Sequence, residues 1–149
     1  MINIVKMDET NVSGVAQLER ENFTDGWSEN SLREELDNED AIYLAAIDSD
    51  TGKVVAAAGL ICSFDEGEIL NVSVKQDYRR NHLAERIMTE LVKIGKEHGL
   101  IAFTLEVREN NAPARLLYEK VGFVLEGIRP NFYSNPKEGA AIYWLRFYQ

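Results

Sequence analysis

Hydrophobic and polar positions change period several times along this chain, most plainly between Glu68 and Gly99. That stretch reads EILNVSVKQDYRRNHLAERIMTELVKIGKEHG. Ile69, Leu70, Val72 and Val74 mark a strand. After a polar, arginine-bearing loop, apolar residues recur at 83, 87, 88, 91 and 94, the i, i+4, i+8 stripe of a helix packed on a sheet. Gly99 suits the position just past its end. A strand that runs into a helix N-terminus is a natural anion site, because the first turn carries unpaired N–H groups and a partial positive charge. The loop, Arg79 to Ala84, has the basic character of a phosphate cradle but no glycine. Taken alone, it reads no differently from a solvated basic face.

The same patterning lays out the rest of the chain. Residues 2–7 form a short strand, and Asn11 or Ser13 can cap a helix to about Phe23 with Val15 and Leu18 inward. TDGWS is a break, and Ser28 caps a second helix through about Leu36, with Glu29 favourable in its first turn. Residues 41–48 and 54–62 form a hairpin around SDTGK. Residues 101–107 return as a strand, so the long helix sits in a right-handed β-α-β unit with locally parallel pairing. Asn110 or Asn111 caps a short helix with Pro113 in its first turn, its apolar face carrying Ala114, Leu117, Tyr118 and Val121, and Gly122 ends it. Strands at about 123–129 and 140–148 follow. With no internal repeat or linker, the 149 residues read as one mixed α/β domain.

Composition narrows the function. A net charge of −9 is the wrong field for a nucleic-acid binder, tolerates a basic partner, and mostly serves solubility. No apolar run reaches the ~20 residues needed to span a bilayer, and the N-terminus lacks the pattern of a signal peptide. Cys62 is the only cysteine, which excludes an intrachain disulfide and suits a reducing cytoplasm. It lies in an apolar strand without a neighbouring histidine and reads as an inert buried thiol. His82, His98 and Cys62 are too widely spaced for a metal site.

The order strand, basic loop, long helix, strand, then N-x-x-A-x-x-x-Y-E-K-x-G-F (Asn111 to Ala114, Tyr118 to Phe123) resembles the GNAT N-acetyltransferases. Closer likeness to the ribosomal-protein-alanine N-acetyltransferases (RimI type) is carried by Trp27-Ser28-Glu29, Glu68 to Val74, Leu105 to Arg108, and Arg129-Pro130-Asn131-Phe132-Tyr133. The resemblance covers about Leu18 to Phe147. It implies a mixed, mostly antiparallel sheet whose fourth and fifth strands splay apart to admit acetyl-CoA, with no metal. Arg79, Arg80, Asn81, His82, Leu83, Ala84 and Glu85 then hold the pyrophosphate, Arg86 adding positive charge. The backbone of Val72, Ser73 and Val74 pairs with the pantetheine arm as an added strand would, and Asn111 contacts that arm. The family's loop pattern is Q/R-x-x-G-x-G/A. Arg79 and Ala84 fit it, but His82 stands at a glycine position, where a Cβ narrows the cradle or demands a strained φ.

Acetyl transfer to an amine requires a neutral amine, a polarised thioester and a protonated leaving thiolate. An α-amine has a pKa near ~7.8 against ~10.4 for lysine, so its deprotonation costs about 3.5 kcal/mol less. Glu106 is disfavoured in a strand, and its side chain shares a face with Thr104 and Arg108. From residues alone it is an exposed carboxylate paired with Arg108; the resemblance makes it the base, acting through water. Tyr118 is a core aromatic by periodicity and, by resemblance, also the acid that protonates the thiolate. Trp27, Arg129, Asn131 and Tyr133 face the acceptor in the same reading, although Trp27 and Tyr133 can equally serve packing. Gly26 replaces a proline usual before the tryptophan, and Ala140 an acidic residue usual in the last strand. The expected function is acetylation of a protein N-terminus, the alanine of a basic ribosomal protein. Acetylation of a small amine, or acyl-CoA binding without catalysis, remain open alternatives, and the residues do not set the oligomeric state.

Overall fold

The structure, a computed structural model, describes residues 1–23, 26–79, 81–134 and 136–147. Its strands are β1 (Ile2–Lys6), β2 (Ala41–Asp48), β3 (Lys53–Ser63), β4 (Glu66–Val74), β5 (Ala102–Arg108), β6 (Val124–Tyr133) and β7 (Glu138–Arg146). The helices are α1 (Val12–Asn22), α2 (Glu29–Glu35), α3 (Leu83–Glu97) and α4 (Ala112–Val121), with a 3-10 turn at Gln76–Tyr78. The strands form one sheet in the order β1-β2-β3-β4-β5-β7-β6, antiparallel except between β4 and β5.

Alternation assigns the faces. Leu44, Ala46, Val55, Ala56, Ala58, Phe103, Leu105 and Val107 pack beneath α3 and α4, against Leu83, Ile87, Met88, Leu91 and Tyr118. Tyr43, Ala45 and Ala57 face the other way, against Val12, Val15, Leu18 and Leu32 of α1 and α2. Central β2 and β3 are covered on both sides, which explains their continuous apolar runs. Their alanines let the helices approach closely. Gly59 has a similar role, because a Cβ there would overlap the Tyr43 ring.

Local capping follows the sequence in most places. Ser28 Oγ accepts from the Ser31 amide at 3.1 Å, and Asn111 Oδ1 from the Ala114 amide at 3.2 Å. Gly99 and Gly122 adopt φ of +93° and +115°, the left-handed helix ends only glycine reaches freely. Asn11 does not cap α1 with its side chain. Its Oδ1 instead accepts from the Asp8 amide at 2.8 Å, and its Nδ2 donates to Lys6 O. β6 runs to Tyr133, four residues past its expected end, and β7 begins two residues early at Glu138, because the two strands close on a turn near Ser134 rather than across 130–139.

The feature that positions the site is where β4 leaves β5. Parallel pairing holds only for Glu66, Gly67 and Glu68 against Ala102, Phe103 and Thr104. Beyond that point β5 pairs with β7 alone, up to Arg108 opposite Ala140. On its other side β4 is bulged: Leu60 faces Ile69 and Ala58 faces Val72, so Leu70 and Asn71 together oppose Gly59. An extra residue bends a strand and increases its twist, which carries the end of β4 away from β5. Replacing Gly59 by alanine is expected to destabilise the fold by about 1–3 kcal/mol through overpacking against Tyr43, measurable by urea denaturation.

Candidate active site

The divergence leaves a cleft of about 920 Å³ between the end of β4, the start of α3 and the face of α4. Val72 and Val74 form one wall and Asn111, Ala114, Leu117 and Tyr118 the other, with Arg79, His82, Leu83, Ala84 and Glu85 at the mouth. The main chain of β4 beyond Glu68 has no partner strand on its β5 side. Val74 O is taken by Asn22 and Arg79, and the other main-chain polar groups on that side are left to meet an extended ligand. At the mouth, the first bond within α3 runs from the Arg86 amide to His82 O at 3.0 Å. The amides of Leu83, Ala84 and Glu85 thus have no acceptor within the helix, and the helix dipole favours an anion there.

His82 takes the conformation the glycine pattern calls for. It sits at φ +57°, ψ +19°, in the left-handed region, as the N-cap of α3. Its side chain is 72% exposed and lies toward Glu85, Nδ1 to Oε2 at 3.5 Å. The penalty falls on the backbone, on the order of 1 kcal/mol for a non-glycine residue in this region, while the N–H geometry of the loop is kept. Arg79 turns its guanidinium back onto the protein, Nε donating to Val74 O at 3.1 Å and Nη2 to Asn22 Oδ1 at 3.0 Å. Arg86 points to the far edge of the sheet, donating to Ile2 O at 3.4 Å, and does not line the cleft. Asn81 is exposed and also outside the lining. Arg80 lies outside the described residues. Ser73 directs its hydroxyl to the α1 side, where it is buried without a hydrogen-bond partner among the described residues.

A second cluster occupies the α1/α2 face of the sheet. Glu106 on β5 pairs with Arg129 on β6, Oε1 to Nη1 at 3.6 Å. Arg108, its expected partner, is held elsewhere: by Glu138 Oε1 at 3.0 Å, by the carbonyls of Ser134 and Pro136, and over the Tyr133 ring at 4.5 Å. Tyr133 is half-buried, its phenol pushed above the ordinary value by burial and then by the charge of Glu106. Asn131, at φ +58°, marks the irregularity between Arg129 and Tyr133 that aims these side chains. Trp27 packs edge-on to Tyr43, ring centroids 6.3 Å apart, and is not brought against the Glu106–Arg129 pair. Ala140 is fully buried and stands in register between Arg108 and Arg129.

Tyr118 joins the two clusters. It is buried between Phe123 and Tyr143, lines the cleft, and its hydroxyl has no hydrogen-bond partner among the described residues. Burial, and then the neighbouring Tyr133, pushes its phenol up to about 12. Behind it Tyr143 donates to Glu119 Oε2 at 2.6 Å and accepts from Arg115 Nε at 2.9 Å, which locks α4 onto β7. Asn22, Phe23 and Tyr78 also line the cleft; nothing in their local sequence marks them, because they reach it through the packing of α1 and the 3-10 turn.

A polar strand edge, a helix N-terminus and a buried phenol converge where two parallel strands separate. Residues 12–123 match the acetyltransferase (GNAT) family, to which the chain belongs, and it is an N-acetyltransferase. Among its relatives, the Escherichia coli (strain K12) ribosomal protein bS18-alanine N-acetyltransferase is 30% identical over 144 residues, 95% of each chain. A Bacillus subtilis (strain 168) protein, provisionally given the same name, is 35% identical over 135 residues, 90% of this chain and 88% of the relative. The crystal structure of the ribosomal-protein-S18-alanine N-acetyltransferase from Escherichia coli superposes with a TM-score of 0.88 at 28% identity, covering 100% of this chain and 96% of that one.

The raised Tyr118 phenol has a pH consequence. Its folded value lies above the unfolded one near ~10, so its contribution is complete below pH ~10 and is lost as pH rises toward 12. Wild-type protein is expected to lose up to about 2–3 kcal/mol more than Y118F over that window, read from denaturation at stepped pH.

Proposed function

We propose that this N-acetyltransferase uses acetyl-CoA to acetylate the α-amine of a protein N-terminus, the alanine of a basic ribosomal protein being the preferred acceptor. The observation that carries the donor half is the loss of β4–β5 pairing after Glu68, which leaves an unpartnered strand edge leading to the first turn of α3. Acetyl-CoA supplies an acetyl thioester whose carbonyl carbon forms the new bond to nitrogen as its bond to sulfur breaks. In this reading the amides of Leu83, Ala84 and Glu85 bind the pyrophosphate, and Asn111 with the main chain of Val72, Ser73 and Val74 holds the pantetheine arm. The cleft's size and the unpaired edge support that fit.

On the other face, Glu106 removes the ammonium proton through a water molecule, with Arg129, Asn131, Tyr133 and Trp27 forming the acceptor walls. Tyr118 stays protonated at every working pH and donates to the departing sulfur. Two features favour an N-terminal acceptor: a modest carboxylate base suffices for an α-amine, and the Escherichia coli and Bacillus subtilis relatives carry that activity in their names. An acceptor of this kind also fits a cytoplasmic location.

Steady-state turnover of acetyl-CoA against a panel of N-terminal peptides tests the proposal. An alanine-starting basic peptide is expected to lead the panel, and E106Q to lower kcat by on the order of 10²–10⁴-fold. Absence of turnover on every N-terminal peptide overturns the acceptor reading, and small amines outpacing peptides reassigns it. Because His82 already holds the loop geometry, H82G is expected to change acetyl-CoA affinity by less than about threefold in calorimetry.

A further inference from the structure

The last turn of α1 holds a charged residue that the chemistry above does not use. Glu19 is 3% exposed, and burial raises its carboxyl above the ordinary range. A buried carboxylate is costly unless its partners compensate, and an apolar residue beside Leu18 would pack at lower cost. Its partners are specific. Oε2 accepts from Asn71 Nδ2 at 3.2 Å, and Asn71 is the bulged residue immediately before Val72. The backbone amide of Trp27 is directed at the same carboxylate. The backbone of Glu19 in turn closes on Gly26, where a Cβ would stand 2.8 Å from Glu19 O.

Three residues on, the same helix face grips the other end of β4. Asn22 Nδ2 donates to Val74 O at 3.2 Å, while its Oδ1 accepts from Arg79 at 3.0 Å. One helical turn therefore holds both ends of the Asn71–Val74 segment and the loop that carries Trp27. We propose that Glu19 is a positioning residue that ties the acceptor loop to the donor strand, so that Trp27 and the bulged segment keep a fixed spacing across the reaction centre. The inference rests on the reading of Val72–Val74 as donor strand and Trp27 as acceptor wall. It explains why the loop approaches α1 so closely at Gly26, and why the bulge carries an amide side chain turned away from the cleft.

The test compares E19A, E19Q, N71D and E19Q/N71D with wild type. Three readouts are used: hydrogen–deuterium exchange of residues 69–75 and 26–28, calorimetric affinity for acetyl-CoA, and KM for an alanine-starting peptide. E19A is expected to speed exchange in both segments and to raise acetyl-CoA Kd and peptide KM about tenfold, the loss for a charge-assisted hydrogen bond. In E19Q/N71D the new amide donates to the new carboxylate while its oxygen is left facing the Trp27 amide, so the constants return to within about threefold of wild type. N71D alone sets two carboxylates against each other and is worse than E19A. The proposal is overturned if E19A leaves exchange and both constants within about twofold of wild type, whatever its melting temperature, or if the double variant is no better than N71D. Should E19A fail to fold, N71D read against E19Q/N71D carries the decision: recovery of both constants in the double variant supports the tie, and no recovery overturns it. A wild-type protein that binds acetyl-CoA but acetylates no peptide sinks the acceptor reading, and exchange and Kd then decide on Glu19.

Discussion

Three residue pairs of parallel sheet hold β4 to β5, and everything in the site depends on that pairing stopping. Had the two strands continued together, the main chain of Val72–Val74 would be spent on a ladder and Tyr118 would face a closed sheet. The Leu70–Asn71 bulge opposite Gly59 bends β4 away, while β5 keeps β7 on its other edge along its whole length. The freed edge of β4 is left to α3, α4 and a ligand.

That separation also divides the chemistry by face. The α3/α4 side is mostly apolar, with free amides at one end and a high-pKa phenol in its wall, which suits a long amphipathic donor. The opposite side brings together Glu106, Arg129 and Tyr133, while Trp27 sits apart against Tyr43. Burial is the main cause of the raised Tyr118 phenol, and Tyr133 adds to it. His82 shows how a departure from a motif is absorbed. The loop needs a left-handed residue, the histidine adopts it, and the side chain turns out toward solvent.

Much of this was legible in the chain before any coordinates. The helical stripe at 83, 87, 88, 91 and 94 predicts α3 and its buried face, and Ser28, Asn111, Gly99 and Gly122 mark helix ends that the structure reproduces. These signals are local, because a cap or a period is satisfied within a few residues of where it is written. Side-chain partners across strands were not legible in the same way. On one strand face Arg108 is the natural mate of Glu106, yet registers with β6 and β7 give Glu106 to Arg129 and Arg108 to Glu138.

The sequence by itself therefore determined the elements, their apolar faces, the residue types at the loop, and the position of Glu106 on the face opposite Leu105 and Val107. It could not determine the bulge that parts β4 from β5, since a bulge is a relation between two strands and leaves no period in either. Nor could it assign Glu19 and Asn22, whose partners at Asn71 and Val74 lie 52 residues away along the chain. Helices and caps are decided by neighbours in sequence, whereas the opening that makes this fold an acyltransferase is decided by which strands share a ladder and where that sharing stops.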